Sequence, residues 1–299
     1  MKQRILKTLL GIVIFSILLL IGGAWYFSGV LMSPKPHRCT REHYIFCEDP
    51  KSDLGLDFEN IEYKTRDGLK ISAWWIPAAK KSDKVILSIH GRGATRREGL
   101  RYVRLFHDQG INLILPDLRD CGKSEKSFSS MGYHERKDLL ATLEFAKQRG
   151  MKSFGILGFS MGSSTSILFM AENPEVKVGI FDSGFADFTD VIAYNAKKDF
   201  GLPKYPLLPL VVFFYELRGG LETDELSPEK VIGKISPRPV LIFHGDADNG
   251  VPYEHGVRLG NAAKEPKEFV GIPGGEHTKL WQKDEKTVSS KILKLIQKL

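Results

Sequence analysis

Ser160 stands in the segment GFSMG, with a glycine two positions away on each side. An apolar run, FGIL, precedes this segment and small residues follow it, which predicts a strand that turns sharply into a helix. A serine at such a turn can be held out as a nucleophile. The same pattern fits a tight turn in which the glycines only relieve crowding, so other residues must distinguish the two interpretations.

A serine hydroxyl is a weak nucleophile at neutral pH and needs a histidine base that a carboxylate orients. Candidates for both partners follow Ser160 along the chain. The run RPVLIFHG is followed by DADNGVP, which contains Asp246 and Asp248, and the run KEFVGIP is followed by GGEHT, which contains His277. Serine, then aspartate, then histidine is the chain order of hydrolases with a nucleophile elbow.

The elements that must position these residues alternate between short apolar runs and amphipathic stretches. IEYKTRDGLKISAWWIP alternates around Asp67-Gly68 and predicts a β-hairpin. The predicted buried strands are KVILSIHG, NLILPD, FGILGFS, VKVGIFDSG, RPVLIFHGD and KEFVGIP. Helical spacing lies between most of them, which predicts an α/β fold with a mostly parallel central sheet flanked by helices. Ligand sites of such sheets form at the carboxyl ends of the strands, where the polar clusters lie.

Residues 187–234 do not follow this alternation. The segment is long, aromatic and interrupted by Pro206 and Pro209, and it lies between two predicted strands. We interpret it as a small helical cap over the strand ends. The alternative is a peripheral excursion that covers the edge of the sheet.

Five motifs together carry a family resemblance. They are HGRG at 90–93, DLRDCGKS at 117–124, GFSMG at 158–162, HGDADNGVP at 244–252 and GGEHT at 274–278. From about residue 60 to its end the chain resembles the α/β-hydrolase superfamily, and within it the single-domain, prolyl-oligopeptidase-like branch of esterases, thioesterases and peptidases. The resemblance implies an α/β-hydrolase fold over residues 59–299.

The resemblance also assigns roles to individual residues. The family pattern H-G-x-x-D-x-x-V-P places the acid at Asp248, whereas Asp246 falls on a variable position that shapes the turn. Asp182, at the end of VKVGIFDSG, is a third candidate, because some hydrolases take the acid from that earlier strand. His277, in a glycine-flanked loop after the last strand, matches the base of the family. We expect Ser160, Asp248 and His277 to be catalytic.

The developing oxyanion of an acyl-transfer reaction needs two backbone N–H donors. One is expected from Met161, the residue after the nucleophile. By resemblance the other comes from Arg92, the residue after His-Gly in the HGRG loop. The Arg92 side chain either points to solvent, which we favour, or contacts an anionic group of the substrate.

The DLRDCGKS stretch ends in Gly-Lys-Ser, as a phosphate-binding P-loop does. The P-loop pattern requires glycine where this chain has Asp117, and a carboxylate there repels phosphate. The comparable stretch of the hydrolases, D-x-R-G-x-G-x-S, is a structural turn. This chain departs from that pattern with Asp120 and Cys121. We therefore expect a turn and no nucleotide site.

The chain opens with three cationic residues, Lys2, Arg4 and Lys7, and then carries no charge before Lys35. This apolar run exceeds the ~20 residues with which a helix crosses a bilayer. An aromatic triplet, WYF at 25–27, is placed as in an interfacial belt. We expect residues 1–32 to form a transmembrane or signal-anchor segment and residues 33–58 to form a connector.

A cleaved signal peptide is the alternative to an anchor, since Gly22 and Ala24 could serve a cleavage site. The apolar run continues past them, which favours a single-pass membrane protein with an extracytoplasmic catalytic domain; a cleaved chain would be secreted. Cys39 and Cys47 follow the span and either form a local disulfide or stay free.

These features predict a membrane-anchored serine hydrolase that cleaves a carboxylic ester or thioester of a small-molecule or acylated substrate, without cofactor or metal. The alternatives are a prolyl-oligopeptidase-like serine peptidase, which shares all five motifs, and a non-catalytic binding protein on a hydrolase scaffold. The net charge of +7 comes from scattered lysines, not from a basic cluster with stacking aromatics, so no nucleic-acid partner is expected. The sequence does not indicate an oligomeric state.

Overall fold

One eight-stranded sheet forms the centre of the protein in the computed structural model, which describes residues 1–299. In chain order its strands are β1 (Glu59–Lys64), β2 (Lys70–Ile76), β3 (Lys84–Ile89), β4 (Asn112–Pro116), β5 (Ser153–Phe159), β6 (Val176–Asp182), β7 (Val240–Gly245) and β8 (Lys267–Ile272). Their spatial order is β1-β2-β4-β3-β5-β6-β7-β8. Only β2 runs antiparallel to its neighbours, so the prediction of a mostly parallel sheet is confirmed.

Twelve α-helices accompany the sheet. They are α1 (Lys2–Met32), α2 (Arg41–Tyr44), α3 (Pro50–Leu54), α4 (Leu100–His107), α5 (Glu135–Gln148), α6 (Met161–Glu172), α7 (Phe188–Phe200), α8 (Leu207–Gly219), α9 (Pro228–Val231), α10 (Tyr253–Ala262), α11 (Leu280–Lys283) and α12 (Glu285–Ile296). Short 3-10 turns cover Arg96–Gly99, Thr223–Glu225 and Ile232–Ile235.

Apolar side chains cover both faces of the sheet, because successive residues of a strand point to opposite sides. In β3, Leu87 packs into the core that contains Leu143 of α5 and Ile167 of α6. Its neighbour Ile86 packs into the opposite core, which contains Phe106 of α4. The continuous apolar runs of the sequence are therefore strands buried on both faces.

The insertion between β6 and β7 is helical, as the sequence predicted. It contains α7 and α8 followed by α9 and two 3-10 turns. Helix α7 begins at the N-cap Asp187, whose side chain accepts the Asp190 N–H, and ends at Gly201, which has a positive φ of 66°. We refer to residues 187–234 as the cap.

Helix α1 is one continuous helix of 31 residues that ends at Met32. It is long and apolar enough to cross a membrane, with a mean hydropathy of 2.6 over its most apolar 18 residues. Those residues are exposed, whereas Ala24 and Ser28 farther along are completely buried against the protein. The helix thus has a free N-terminal part and a packed C-terminal part.

The connector after α1 contains α2 and α3, and a disulfide joins Cys39 to Cys47, with 5.7 Å between their Cα atoms. Helix α3 is capped at both ends, by the Asp49 carboxylate and by Gly55 in the left-handed conformation. The connector is therefore ordered, although its composition gave no periodic signal.

Candidate active site

The loop between β5 and α6 holds Ser160 in an unusual backbone conformation, with φ 51° and ψ −121°. Its N–H donates to the Asp182 carbonyl at 2.8 Å. A Cβ on Gly162 would collide with the carbonyl oxygens of Ile89 and His90, and a Cβ on Gly158 would collide with the backbone of Gly162. Both glycines are needed because backbone closes on them from β3 and from α6. The strained residue between them is the serine.

Ser160, His277 and Asp248 lie in one hydrogen-bonded line. His277 Nε2 lies 2.8 Å from Ser160 Oγ, and His277 Nδ1 lies 2.7 Å from Asp248 Oδ2. The other carboxylate oxygen, Oδ1, accepts the N–H groups of Gly250 and Val251 at 2.8 Å each. These contacts fix the carboxylate, which orients the imidazole so that Nδ1–H donates to it and Nε2 is free to accept the serine proton.

The negative charge of Asp248 and a positive charge on His277 stabilise each other. Burial opposes charge on His277, but its hydrogen bond to Asp248 and the nearby carboxylates outweigh it and raise the pKa of His277 above 6.5. Burial likewise disfavours the charged form of Asp248, yet hydrogen bonds from His244 and His277 outweigh it and hold the pKa of that carboxyl well below its usual range. The acid is thus a fixed anion beside a base of increased proton affinity.

The two rival carboxylates do not contact His277. Asp246 is exposed and accepts the Gly274 N–H, so it pins one loop to the other. Asp182 is buried and binds the hydroxyls of Tyr102 and Ser183, at 3.1 and 2.9 Å. Burial raises the pKa of Asp182. Neither carboxyl orients His277, because Asp246 holds a backbone N–H and Asp182 binds two side-chain hydroxyls.

The other histidines near the site serve the backbone. His90 Nε2 accepts the Leu118 N–H at 2.9 Å, so its Nδ1–H donates to the Gly91 carbonyl at 2.7 Å. His244 Nε2 lies 2.8 Å from the Val251 carbonyl and also 3.4 Å from Asp248 Oδ2, so this ring supports the carboxylate as well as the backbone. His255 Nδ1 accepts the Ala186 N–H at 3.1 Å, and burial lowers its pKa to about 4. Each is consumed by a structural contact.

The two expected oxyanion donors, the N–H groups of Met161 and Arg92, come from different parts of the chain. Met161 begins α6, where the first N–H groups have no partner within the helix. The Arg92 N–H donates to no backbone carbonyl. The loop that carries it is held by Glu98, whose buried carboxylate accepts the Gly91 N–H at 2.6 Å.

Sequence reasoning missed Glu98. The segment Thr95-Arg-Arg-Glu98 has the spacing of a capping box, which predicts a carboxylate that turns back to the residue before its helix. The side chain reaches farther, to Gly91, because the 3-10 turn places it under the HGRG loop. The capping-box spacing predicts that Glu98 binds a nearby backbone N–H, but it does not predict that this N–H belongs to the HGRG loop.

The expectation that the Arg92 side chain points to solvent is wrong. Its Nη2 donates to the carbonyl oxygens of Val30 and Leu31, both at 2.9 Å. Those carbonyls belong to the last turn of α1 and lack partners within the helix. The Arg92 side chain turns away from solvent because the end of α1 lies beside its loop. The sequence did not show this contact, because the two partners are 61 and 62 positions apart in the chain.

A cavity of about 310 Å³ opens above Ser160 and His277, within the size range of small-molecule sites. Fifteen of its 23 lining residues are hydrophobic. Most of them come from α1 and the cap, for example Phe27 and Leu31 of α1, Val191 and Ile192 of α7, and Val211 of α8. The cap therefore covers the strand ends, with Ser160 at the base of an apolar cavity.

The DLRDCGKS stretch forms a turn. The Asp117 carboxylate accepts a two-pronged contact from the Arg96 guanidinium at 2.9 and 2.6 Å, together with the Lys123 N–H. A Cβ on Gly122 would collide with this carboxylate. No group of three or more histidine, cysteine or acidic side chains is arranged to hold a metal ion.

No protein-family model matches the chain. The chain is 32% identical over 256 residues to Uncharacterized protein YqkD of Bacillus subtilis, covering 79% of this chain and 81% of that protein. It is 27% identical over 233 residues to human Protein ABHD12B, covering 71% and 60%. The solved structure of the Pyrococcus furiosus esterase Pf2001 matches it with a TM-score of 0.70 at 25% identity, covering 89% and 97%. The chain belongs to the α/β hydrolases and is a serine hydrolase of that family with an unassigned substrate.

Proposed function

We propose that the protein hydrolyses a carboxylic ester or thioester with a hydrophobic acyl group, through a Ser160–His277–Asp248 triad and an acyl-enzyme. The observation that carries this proposal is the line of hydrogen bonds from Ser160 to Asp248 at the base of an apolar cavity. The match to an esterase of known structure supports the same reaction class.

In the acylation step, Ser160 Oγ attacks the carbonyl carbon while His277 Nε2 takes the hydroxyl proton. The carbonyl π electrons move to oxygen, and the Met161 and Arg92 N–H groups stabilise that oxyanion. The tetrahedral adduct collapses as the bond to the leaving oxygen or sulfur breaks, and His277 gives its proton to the leaving group. Asp248 stays ionised and stabilises the imidazolium throughout.

Deacylation repeats these steps with water. His277 Nε2 accepts a proton from the water as its oxygen attacks the acyl carbon, and the proton then passes to Ser160 Oγ as the ester bond to the enzyme breaks. The products are a carboxylic acid and regenerated serine. No step needs a redox partner or a group that the side chains do not supply.

The cavity favours an ester or thioester over a peptide. A peptide substrate brings backbone N–H and C=O groups that cost free energy when they are buried without hydrogen-bond partners. Most of the residues that line this cavity are hydrophobic and provide no such partner from their side chains. A peptidase of the prolyl-oligopeptidase-like type is therefore the weaker alternative. A binding protein on the same scaffold would have no use for a serine in strained geometry beside a polarised imidazole.

We further propose that residues 1–32 form an uncleaved anchor in a single-pass membrane protein with the catalytic domain outside the cytoplasm. Ala24, at the candidate cleavage site, is helical and completely buried. Cationic residues flank the span on both sides, with Lys2, Arg4 and Lys7 before it and Lys35, Arg38 and Arg41 after it, so the orientation is argued from the disulfide instead. The disulfide after the span fits an oxidising compartment. In this division residues 33–58 connect the anchor to the hydrolase domain, residues 59–299.

The test is labelling of the full-length protein in detergent micelles with a fluorophosphonate, which reacts with activated serines, followed by turnover of p-nitrophenyl esters, thioesters and peptide amides. We expect labelling of the wild type and none of Ser160→Ala. A matched control is Ser163→Ala, which removes a buried hydroxyl from the first turn of α6 without touching His277. Labelling of that variant should persist.

The other outcomes are equally informative. A folded wild type that is not labelled would remove the triad proposal and bring the binding-protein alternative forward. Labelling that survives Ser160→Ala would show that another residue is the nucleophile. Cleavage of peptide amides at rates comparable to esters would favour the peptidase.

A further inference from the structure

The membrane helix contributes directly to the cavity above the nucleophile. Phe27, Val30 and Leu31, from its last two turns, line the same cavity as Ser160 and His277. These three side chains are partly buried, in contrast to the exposed side chains of the first twenty residues. A helix that served only to tether the domain would have no need to form a wall of its substrate cavity.

The end of α1 is fully integrated into the hydrolase domain. The last four carbonyls of a helix lack intrahelical partners. Here the Gly29 carbonyl accepts the Ser33 N–H at 3.0 Å, and the Met32 carbonyl accepts the Ser129 N–H at 2.8 Å. The carbonyls of Val30 and Leu31 between them are bound by Arg92. All four acceptors are satisfied, and the domain supplies the donors for three of them.

Arg92 links this helix end to the HGRG loop, residues 90–93, which we call the oxyanion loop. Its Nε atom is buried without a hydrogen-bond partner, and burial lowers the pKa of the guanidinium. A cation is favoured at the C-terminal end of a helix, where the helix dipole is negative. Because the N–H of the same residue is a proposed oxyanion donor, the position of α1 and the position of that donor are coupled through a single residue.

The chain that follows α1 lies over the same loop. The His37 N–H donates to the Gly93 carbonyl at 2.7 Å. A Cβ on Gly93, which has a positive φ of 72°, would lie only 2.8 Å from the Lys35 carbonyl oxygen. The oxyanion loop is thus enclosed by α1 and by the first residues of the connector.

Helix α1 also packs against the cap. The Arg218 guanidinium lies 4.3 Å from the centroid of the Trp25 ring and donates to Ser28 Oγ at 2.7 Å. Phe27 of α1 packs edge to face against Phe200 of α7, with 5.1 Å between the two ring centroids. The wall formed by α1 is therefore held from both sides, by the oxyanion loop and by the cap.

We propose that the last two turns of α1 are the acyl-binding wall of the active site, so that the membrane helix itself selects the length of the acyl chain, with Arg92 as the residue that positions it. The inference rests on the proposed hydrolase function. It assigns α1 to the substrate site as a specificity-determining element and implies a substrate whose acyl chain reaches toward the membrane end of the cavity.

The test compares the rates at which ethyl and octyl fluorophosphonates label the full-length protein in one detergent. In Val30→Trp and Leu31→Trp the new ring occupies cavity space. Each methylene that loses its contacts slows labelling by about fourfold, so the octyl-to-ethyl ratio should fall by about tenfold or more. Ile21→Trp, on the exposed part of the same helix, is the matched control and should keep the wild-type ratio.

A second pair of variants covers the case in which tryptophan prevents folding. Leu31→Ala and Val30→Ala enlarge the cavity, so labelling by a dodecyl fluorophosphonate should rise relative to the octyl compound. For Arg92, the measurement is kcat and KM on p-nitrophenyl butyrate. Arg92→Met should lower kcat much more than it raises KM, and Arg92→Lys, which restores one cationic donor, should recover part of kcat.

The outcomes separate this inference from the proposed function. If Ser160 is labelled but the chain-length ratios of the Val30 and Leu31 variants all match those of Ile21→Trp, the acyl-wall proposal is overturned and the hydrolase stands. If the folded wild type is labelled by neither compound, the proposed function itself fails. Loss of kcat in Arg92→Met that lysine does not recover at all would overturn the positioning role of Arg92.

Discussion

The base and the wall of the cavity are built on different principles. Ser160, Asp248 and His277 follow β5, β7 and β8, whose register is fixed by parallel backbone pairing. The wall consists of α1 and the cap, which meet without backbone-to-backbone pairing, and the outer surface of the cap carries exposed apolar residues such as Phe213 and Leu217. Backbone pairing fixes atoms that must react, whereas side-chain packing can be altered to admit another substrate.

This difference implies that changes at the base abolish the reaction and changes at the wall redirect it. The base is also where backbone strain is stored, at Ser160 with its positive φ. The wall has ordinary helical geometry. The following predictions test this division, beginning with the largest expected effect.

Replacing Asp248 by Asn should lower kcat/KM for p-nitrophenyl butyrate by about 10⁴, because the imidazole loses the anion that fixes its tautomer and stabilises its charged form. The matched control is Asp246→Asn, two positions away in the same loop, which touches the Gly274 N–H and not His277. That variant should retain most of its activity. Comparable losses in both variants would mean that the acid is misassigned.

Replacing Gly162 by Ala should disrupt the base of the site. The new methyl group meets the backbone carbonyls of Ile89 and His90, which cannot rotate away. We expect a destabilisation of about 3 kcal/mol, seen as a melting temperature lower by roughly 6–12 °C, with loss of fluorophosphonate labelling.

Its control lies in the exposed part of α1. A Cβ on Gly22 meets nothing within 4 Å, so Gly22→Ala should leave labelling unchanged and raise helix stability slightly. A Gly162→Ala variant as stable and reactive as Gly22→Ala would show that the elbow is not closed as tightly as the structure describes.

Activity should depend on pH through His277. The imidazole accepts the serine proton only when it is neutral, and its pKa is raised above 6.5, mainly by Asp248 against the opposing effect of burial. The labelling rate should therefore rise with pH through a midpoint above 6.5 and fall below it. Glu98→Gln removes one carboxylate that raises this pKa but keeps an oxygen for the Gly91 N–H.

We expect the midpoint of Glu98→Gln to move to lower pH, measured as labelling rate against pH in buffers of constant ionic strength. Asp108→Asn, an exposed carboxylate that pairs with His107, is the control and should leave the midpoint in place. A midpoint below 6.5 in the wild type would contradict the raised pKa of His277.

The base of the cavity, where Ser160, Asp248 and His277 lie, was predictable from sequence because its signals are local. GFSMG identifies a strand-to-helix turn, and Asp248 and His277 each follow an apolar run in the expected order. The choice of Asp248 over Asp246 rested on the resemblance to the family pattern H-G-x-x-D-x-x-V-P, which is also local. Parallel strands bring the ends of such runs to one edge of the sheet, so short motifs suffice to predict which side chains meet.

The wall was not predictable in the same way. The apolar pattern of residues 1–32 predicts a membrane span, and nothing in it distinguishes Leu31, which lines the cavity, from Leu19, which is exposed. The contact of Arg92 with Val30 joins positions 62 apart and depends on where the helix stops. The sequence predicted that the cap is helical, but the orientation of α8 against α1 comes from individual pairs such as Arg218 on Trp25.

The smallest predicted effect concerns the junction between wall and base. Tyr215 of α8 is completely buried, and its hydroxyl donates to the Ser129 carbonyl at 2.9 Å, on the loop that also donates to the end of α1. Tyr215→Phe keeps the ring, which stacks on Phe188, and removes only this hydrogen bond. The loss should cost about 1 kcal/mol and lower the melting temperature by roughly 2–4 °C.

Because no atom of the triad moves, we expect kcat for p-nitrophenyl butyrate to stay near the wild-type value in Tyr215→Phe. Tyr205→Phe, at an exposed position of the cap, should change neither quantity. A large loss of kcat in Tyr215→Phe at an unchanged melting temperature would contradict the division itself. It would mean that the cap takes part in positioning the reacting groups and that wall and base act as one unit.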